Sequence, residues 1–362
     1  MCVRKASALD KPKRKRWLAK NRIPLRDVTV LVGEEGIGKS LFWVLVVAAI
    51  SRGTEEPEFG IPARAPADVL LILTEDDWST DVLPRLQQSG ADISHISVLS
   101  DSPDGSGSPE FPRHIGHVLN AKPRPMLVVV DAWLDTVDPR LMVRDPQQAR
   151  RALHPWRRVA TQTGSAVLLL SHTNRLGTGN TRDLYGATGS LRQKARMTLF
   201  AQEDSDHFLT IGPDKANSTQ TGTLATRFTI TKVQVYEATE DDDGTVPMLK
   251  AQGYSDKTAR EIAVANHLAQ QSGADEATTD IPAHLQDFAT LLREYIKSGE
   301  SCPSDWPSGH RRLSKDVYKA AESAGGSKDK AKKVKAGIGA FAKHGDDDCW
   351  YWVIGTGRPD DT

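Results

Sequence analysis

The sequence predicts an α/β protein: a parallel sheet covered by helices on both faces, followed by a smaller α+β unit. Three observations predict it. Four apolar runs, at 28–33 (VTVLVG), 68–77 (DVLLILTEDD), 126–133 (MLVVVDAW) and 165–175 (SAVLLLSHTNR), have the continuity of strands buried on both faces. Helix-length stretches alternate with them: an apolar one after residue 40 that stops at Gly53, and a polar one at 146–163. Past about residue 200 the alternation gives way to strand-like segments alone, then to a helix-rich tail. The 362 residues suit two or three domains at roughly 150 residues each.

Composition narrows the class. Lys plus Arg and Asp plus Glu are both 47, so a uniformly basic or acidic protein is excluded while local patches are not. Cys2, Cys302 and Cys349 fit neither a disulfide framework nor a zinc site, which implies a reducing compartment. The longest apolar run, Leu41 to Ile50, is half of what a membrane span needs. The N-terminus has charges but no apolar signal core. A cytoplasmic protein without a membrane partner is expected.

Five segments follow in order. Residues 1–21 hold the basic cluster Lys11-Pro12-Lys13-Arg14-Lys15-Arg16 and are expected to be flexible. Residues 22–250 form the α/β domain, finishing in antiparallel strands, with a turn at 239–244 (TEDDDG). Residues 251–284 comprise a helix at 255–271 capped by Ser255, then a linker at 272–280. Residues 285–356 form the second domain, and 357–362 a tail.

Gly33-Glu34-Glu35-Gly36-Ile37-Gly38-Lys39-Ser40 fits G-x-x-x-x-G-K-[ST], with a strand before it and a helix after it, as a phosphate-binding P-loop requires. Gly33, Gly36 and Gly38 let backbone N–H groups turn inward on a phosphate, and the helix N-terminus adds a favourable dipole. Lys39 then reaches the β/γ-phosphates, Ser40 binds Mg²⁺, and Ile37 and Leu41 complete the ATP-binding stretch.

In a parallel sheet, ligands collect at the carboxyl ends of the strands. Asp131 ends one strand and is placed to hold Mg²⁺ through water. Glu75 ends another and is placed to activate the attacking water, with Asp76 and Asp77 competing for that role. His172 ends a third and is placed to sense the γ-phosphate.

This order of motifs resembles the RecA-like P-loop core of RepA-like and DnaB-like hexameric replicative helicases, over about residues 22–236. The resemblance runs through "IPLRDVTVLVGEEGIGKS", "LILTEDD", "RPMLVVVDAWLDTV", "AVLLLSHTNR" and the closing strands around "FLTIGPDKANSTQTGTLATRFTI". It implies ATP sites at the subunit interfaces of a ring, a hexamer, completed by a neighbour's cation. Arg196 is the implied arginine finger, with Arg192 competing, and Lys215 a second trans contact. Asn217 stands where DnaB-like proteins have arginine, as in the RepA-like version. The resemblance also places channel loops for single-stranded DNA at 135–148, with Arg140 and Arg144, and at 174–186, with Arg175 and Arg182. Neither loop is interleaved with aromatics, so a backbone grip is expected.

From His310 to Lys343, ten Lys and Arg face three acids, an electrostatic footprint for nucleic acid in a neutral chain. Helices predicted at 285–299, 313–325 and 327–345, with a strand at 348–354, suit a winged helix whose last helix carries Lys328, Lys330, Lys332 and Lys333 to duplex or forked DNA. The expected function is a Mg-ATP-hydrolysing DNA motor, a replicative helicase of a phage or plasmid-type element, with a primase or initiator as further partner. The rivals are an ATP-switched initiator or helicase loader that never unwinds, and a small-molecule P-loop kinase.

Overall fold

The computed structural model describes residues 5, 7, 14–100, 109–143, 145–172, 195–216, 222–240, 242–266, 285–303, 306, 308–324, 328–335, 338–345, 347 and 349–356. The chain divides into two compact units, Met1–His267 and Leu268–Thr362, so the division falls inside the expected 251–284 helix and linker.

The first unit opens with β1 (Trp17–Ala19) paired to β2 (Ile23–Pro24). Leu18 and Ala19 are fully buried, so packed structure begins inside the segment expected to be flexible. Its main sheet has nine strands: β3 (Val28–Gly33), β4 (Val69–Leu73), β5 (Ile96–Val98), β6 (Leu127–Asp131), β7 (Ala166–His172), β8 (Met197–Glu203), β9 (Leu209–Ala216), β10 (Leu224–Gln234) and β11 (Thr245–Thr258). Their spatial order is β11-β10-β9-β8-β3-β7-β6-β4-β5. The run from β8 to β5 is parallel and the other edge antiparallel. The result is a mixed sheet flanked by helices, consistent with a general P-loop NTPase-like fold.

Both faces of the central strands are apolar, so side chains alternate into two cores. On one face Leu31, Leu71, Val129 and Leu168 pack under α1 (Lys39–Arg52) and α2 (Leu83–Gln88). On the other, Val30, Ile72, Val130 and Leu169 pack under α3 (Ile115–Asn120), α4 (Pro146–Thr163) and a helical segment at 259–266. Each fully buried Leu, Ile or Val contributes roughly 1.5–3 kcal/mol of transfer free energy. α4 has the span expected of 146–163; Asp145 caps it through the N–H groups of Gln147 and Gln148.

The helix expected at 255–271 is corrected. Ser255 is 3% exposed inside β11, which continues to Thr258 opposite Leu224. Helical backbone starts at 259, because Thr258 and Glu261 form a reciprocal cap: the Glu261 N–H donates to Thr258 Oγ1, and the Thr258 N–H to Glu261 Oε2.

The second unit runs α5 (Gln286–Lys297), β12 (Glu300–Ser301), β13 (Ser308–Leu313), α6 (Ser314–Ser323), α7 (Lys328–Lys335), β14 (Ala340–His344) and β15 (Trp350–Thr356). Its sheet has the order β12-β13-β15-β14. Leu292, Ile296, Val317, Ala321, Ala331, Val334 and Trp352 make one core. The helix expected at 327–345 is corrected as well. α7 ends at Lys335, Gly339 has φ of 72°, and Ala340–His344 then turns to the period-2 pairing of a hairpin with β15.

Candidate active site

Sheet register brings the expected site residues to one end. Gly33 pairs with His172 across β3 and β7, and Leu73 with Asp131 across β4 and β6. β7 thus separates the P-loop strand from the strand that carries Asp131, while Glu75 emerges just past β4. Gly33 has a steric reason: a Cβ there would lie 2.7 Å from the Ala201 carbonyl oxygen on β8. Gly38 caps α1 at φ of 102°, a left-handed conformation that glycine adopts freely. Glu34 and Glu35 are exposed, and Ile37 and Leu41 half-buried.

Lys39, 5% exposed, folds back over the loop. Its Nζ donates to Gly33 O at 3.1 Å and Glu34 O at 2.5 Å, and lies 3.2 Å from His172 Nδ1. An ammonium has only donors, so Nδ1 is the acceptor. The neutral ring's proton is therefore on Nε2, which lies 3.1 Å from Glu75 Oε1 and donates to it. Burial lowers the Lys39 pKa from its ordinary value; the charges of Asp131 and Glu75 oppose that.

Asp131 receives two donors on a single oxygen. Ser40 Oγ donates to Oδ2 at 2.8 Å and the Trp43 indole N–H at 2.7 Å. The carboxylate is 6% exposed, and burial raises its pKa despite those two bonds. A buried carboxylate beside a serine hydroxyl suits a hard divalent cation that keeps most of its waters, as Mg²⁺ does. Among the described residues no cluster of three or more His, Cys, Asp and Glu side chains forms a protein cage for a metal.

Asp76 and Asp77 are occupied elsewhere. Asp76 pairs with Arg85 at 2.7 Å. Asp77 caps the π-helical turn Trp78–Val82, and its bonds from Ser79 and Thr80 hold its pKa down at about 2. Of the three acids, Glu75 is the one hydrogen-bonded to His172. Thr74 fixes it there. Its N–H donates to Asp131 O at 2.8 Å, and its Oγ1 accepts from the Ala132 N–H at 2.9 Å and donates to Asp135 at 2.9 Å.

Sequence reasoning missed Trp43, Thr74 and Asp135. Trp43 lies one helical turn past Lys39, but in so apolar a helix it reads as core. Thr74 and Asp135 gave no signal of their own.

Arg196 is exposed at the start of β8, five residues before Ala201, which faces Gly33. At 3.3 Å per residue that is about 17 Å from the P-loop end. Lys215 lies in β9 opposite Thr198, toward the same end of the sheet as Arg196. Arg140 is tied to Asp138 by two bonds, 2.9 and 2.7 Å. Arg144, Arg175, Arg182, Arg192 and Asn217 lie outside the described residues.

In the second unit, Lys328 and Lys332 are exposed one turn apart on α7, while the side chains of Lys330 and Lys333 lie outside the described ones. Arg311 and Arg312, counted in the basic footprint, serve the fold. Arg311 stacks 4.5 Å over Tyr351, and Arg312 donates to Tyr295 O and Ser298 O, capping α5.

Residues 3–178 match the family model of an AAA domain. The match, just under half of the chain, indicates a P-loop/AAA ATPase domain in that span. The AAA domain supports ATP binding and ATP-dependent activity, and its span contains Lys39, Ser40, Glu75, Asp131 and His172. Arg196 and Lys215 lie beyond it. No curated protein matches the chain. Among the described residues no helix is long and apolar enough to cross a membrane.

Proposed function

We propose that the chain is an ATP-hydrolysing DNA motor, a replicative helicase of a phage or plasmid-type element, acting as a hexameric ring with ATP between subunits. Lys39 and the P-loop amides bind the phosphates. Ser40 and Asp131 hold Mg²⁺, which neutralises charge on the phosphates. Glu75 accepts a proton from the attacking water, and His172 links it to Lys39, so the γ-phosphate and the base sense one another. The single observation that carries the reading is the separation along β8. The Lys39, Asp131 and Glu75 set lies at one end of the sheet and Arg196 at the other, about 17 Å away. That distance keeps Arg196 out of its own chain's ATP site and supports a role at a neighbour's nucleotide in the proposed ring.

The α-β-β-α-α-β-β order of the second unit supports a winged helix, with α7 presenting Lys328 and Lys332 to the DNA backbone. The test is phosphate release from ATP with and without single-stranded DNA, beside ATP-dependent strand displacement, for wild type and Lys39→Ala. DNA-stimulated release and displacement, both lost in the variant, support the motor. Release indifferent to DNA, without displacement, leaves the ATP-switched initiator or loader.

A further inference from the structure

Charge in this neutral chain is strongly segregated on one helix face. Neither 111–130 nor 146–165 contains an Asp or Glu, while α4 alone carries Arg150, Arg151, Arg157 and Arg158. All four are exposed, because Ala149, Ala152, Leu153, Trp156, Val159 and Ala160 take the opposite stripe into the core. Among the described residues none of the four is in an ion pair. The pairs 150/151 and 157/158 are seven residues apart, two helical turns or about 10 Å. A cavity of about 440 Å³ between α3 and the end of α4 continues the face, with Arg124, Arg158, Asn120 and Gln162 in its lining.

We infer that this arginine face of α4 is a docking surface for the backbone of duplex DNA, separate from the ATP site and from the second unit. Guanidinium groups match phosphate oxygens as two-pronged donors. A rigid row of them suits the regular phosphates of a duplex, which carries one charge per roughly 1.7 Å of axis. The exposed residues of α4 include no Phe, Tyr or Trp, and His154 stands alone, so a platform for stacking successive bases of a single strand is missing. They also include no large apolar residue, the anchor that a protein partner or a membrane surface requires. Contacts of this kind read no base, so binding is independent of sequence.

The test is fluorescence anisotropy of a labelled 20-base-pair duplex with the full chain, over a series of salt concentrations. The variant replaces Arg150, Arg151, Arg157 and Arg158 by Gln, which keeps helix propensity. It is expected to lose more than tenfold in affinity, and the log–log salt slope to fall by about 3.6 if all four arginines contact phosphate, at roughly 0.9 per contact. DNA-free ATP hydrolysis and the thermal melt are expected to stay at wild-type values. If the quadruple variant does not fold, Arg150→Glu and Arg157→Glu singly carry the test, each expected to weaken binding severalfold. Lys328→Gln with Lys332→Gln reports the second unit on its own. The inference is overturned by an unchanged slope and affinity in the arginine variants, by a wild type that does not bind duplex, or by loss of self-association with DNA binding intact. The last outcome would mark a contact between copies. Failure of the ATPase reading shows instead in phosphate release, which these variants leave alone.

Discussion

The indole N–H of Trp43 and the carboxylate of Asp131 meet at 2.7 Å, on the same oxygen that Ser40 bonds. This ties the first turns of α1 to the end of β6, so the P-loop and the acid proposed to hold Mg²⁺ share one rigid support. Trp43→Phe keeps most of the ring volume and deletes the donor. The expected result is a Mg²⁺ requirement raised about tenfold for half-maximal hydrolysis. A stability loss of roughly 1–2 kcal/mol accompanies it, from the carboxylate left short of a partner. A Mg²⁺ titration of phosphate release, with a denaturant melt, checks both.

Asp131 gives a pH-dependent prediction. Its folded pKa is raised by burial, so between the ordinary and the raised value the folded chain holds the proton that the unfolded chain has released. The contribution to stability is full below the ordinary carboxylate pKa and lost as pH rises through the raised one. Asp131→Asn removes that loss. At neutral pH without metal the variant is expected to be more stable than wild type, the gap closing as pH falls through the raised pKa and gone below the ordinary carboxylate range. Mg²⁺ with nucleotide is expected to stabilise the wild type only. Melting temperatures across pH 3–8 measure this, and hydrolysis by the variant is expected to be lost.

Arg196 and Lys39 belong to different sites if the ring reading holds. Arg196→Ala and Lys39→Ala are each expected to be inactive alone. Mixed in equal amounts and allowed to reassemble, they regain about a quarter of wild-type hydrolysis. That is the share of interfaces pairing an intact Lys39 with a neighbour's intact Arg196 under random mixing in a closed ring. A mixture as inactive as its parts rejects the trans role.

Much of the first unit was legible because its signals are local. A G-x-x-x-x-G-K-[ST] string between a β-branched run and an apolar helix leaves little freedom, and apolar runs ending at Asp131 and His172 announce strand ends. The misreadings sit where two periodicities overlap. "SDKTAREIAVANHL" reads as one helix from Ser255, yet pairing with β10 keeps 255–258 extended until the cap at Thr258 and Glu261. "AGIGAFAKHG" continued a lysine-rich helix until Gly339 broke it and cross-strand pairing with β15 took over. Within the site, the choice among Glu75, Asp76 and Asp77 was not decidable from sequence. It depends on Arg85 and on the turn at Trp78–Val82, which take two of the three acids. Trp43 was hidden for a similar reason: burial of its ring is a sequence signal, and the direction of its N–H is not.

Glu75 is the centre of the account. It alone of the three acids is hydrogen-bonded to the histidine that contacts Lys39. The most direct measurement is steady-state phosphate release with Mg-ATP for wild type, Glu75→Gln and Asp76→Asn, beside equilibrium binding of a fluorescent ATP analogue. The account predicts that Glu75→Gln binds nucleotide as tightly as wild type and releases phosphate at least 100-fold more slowly, in the range general-base removal produces, while Asp76→Asn retains most of its activity. Wild-type release by Glu75→Gln, or its loss in Asp76→Asn alone, would contradict it.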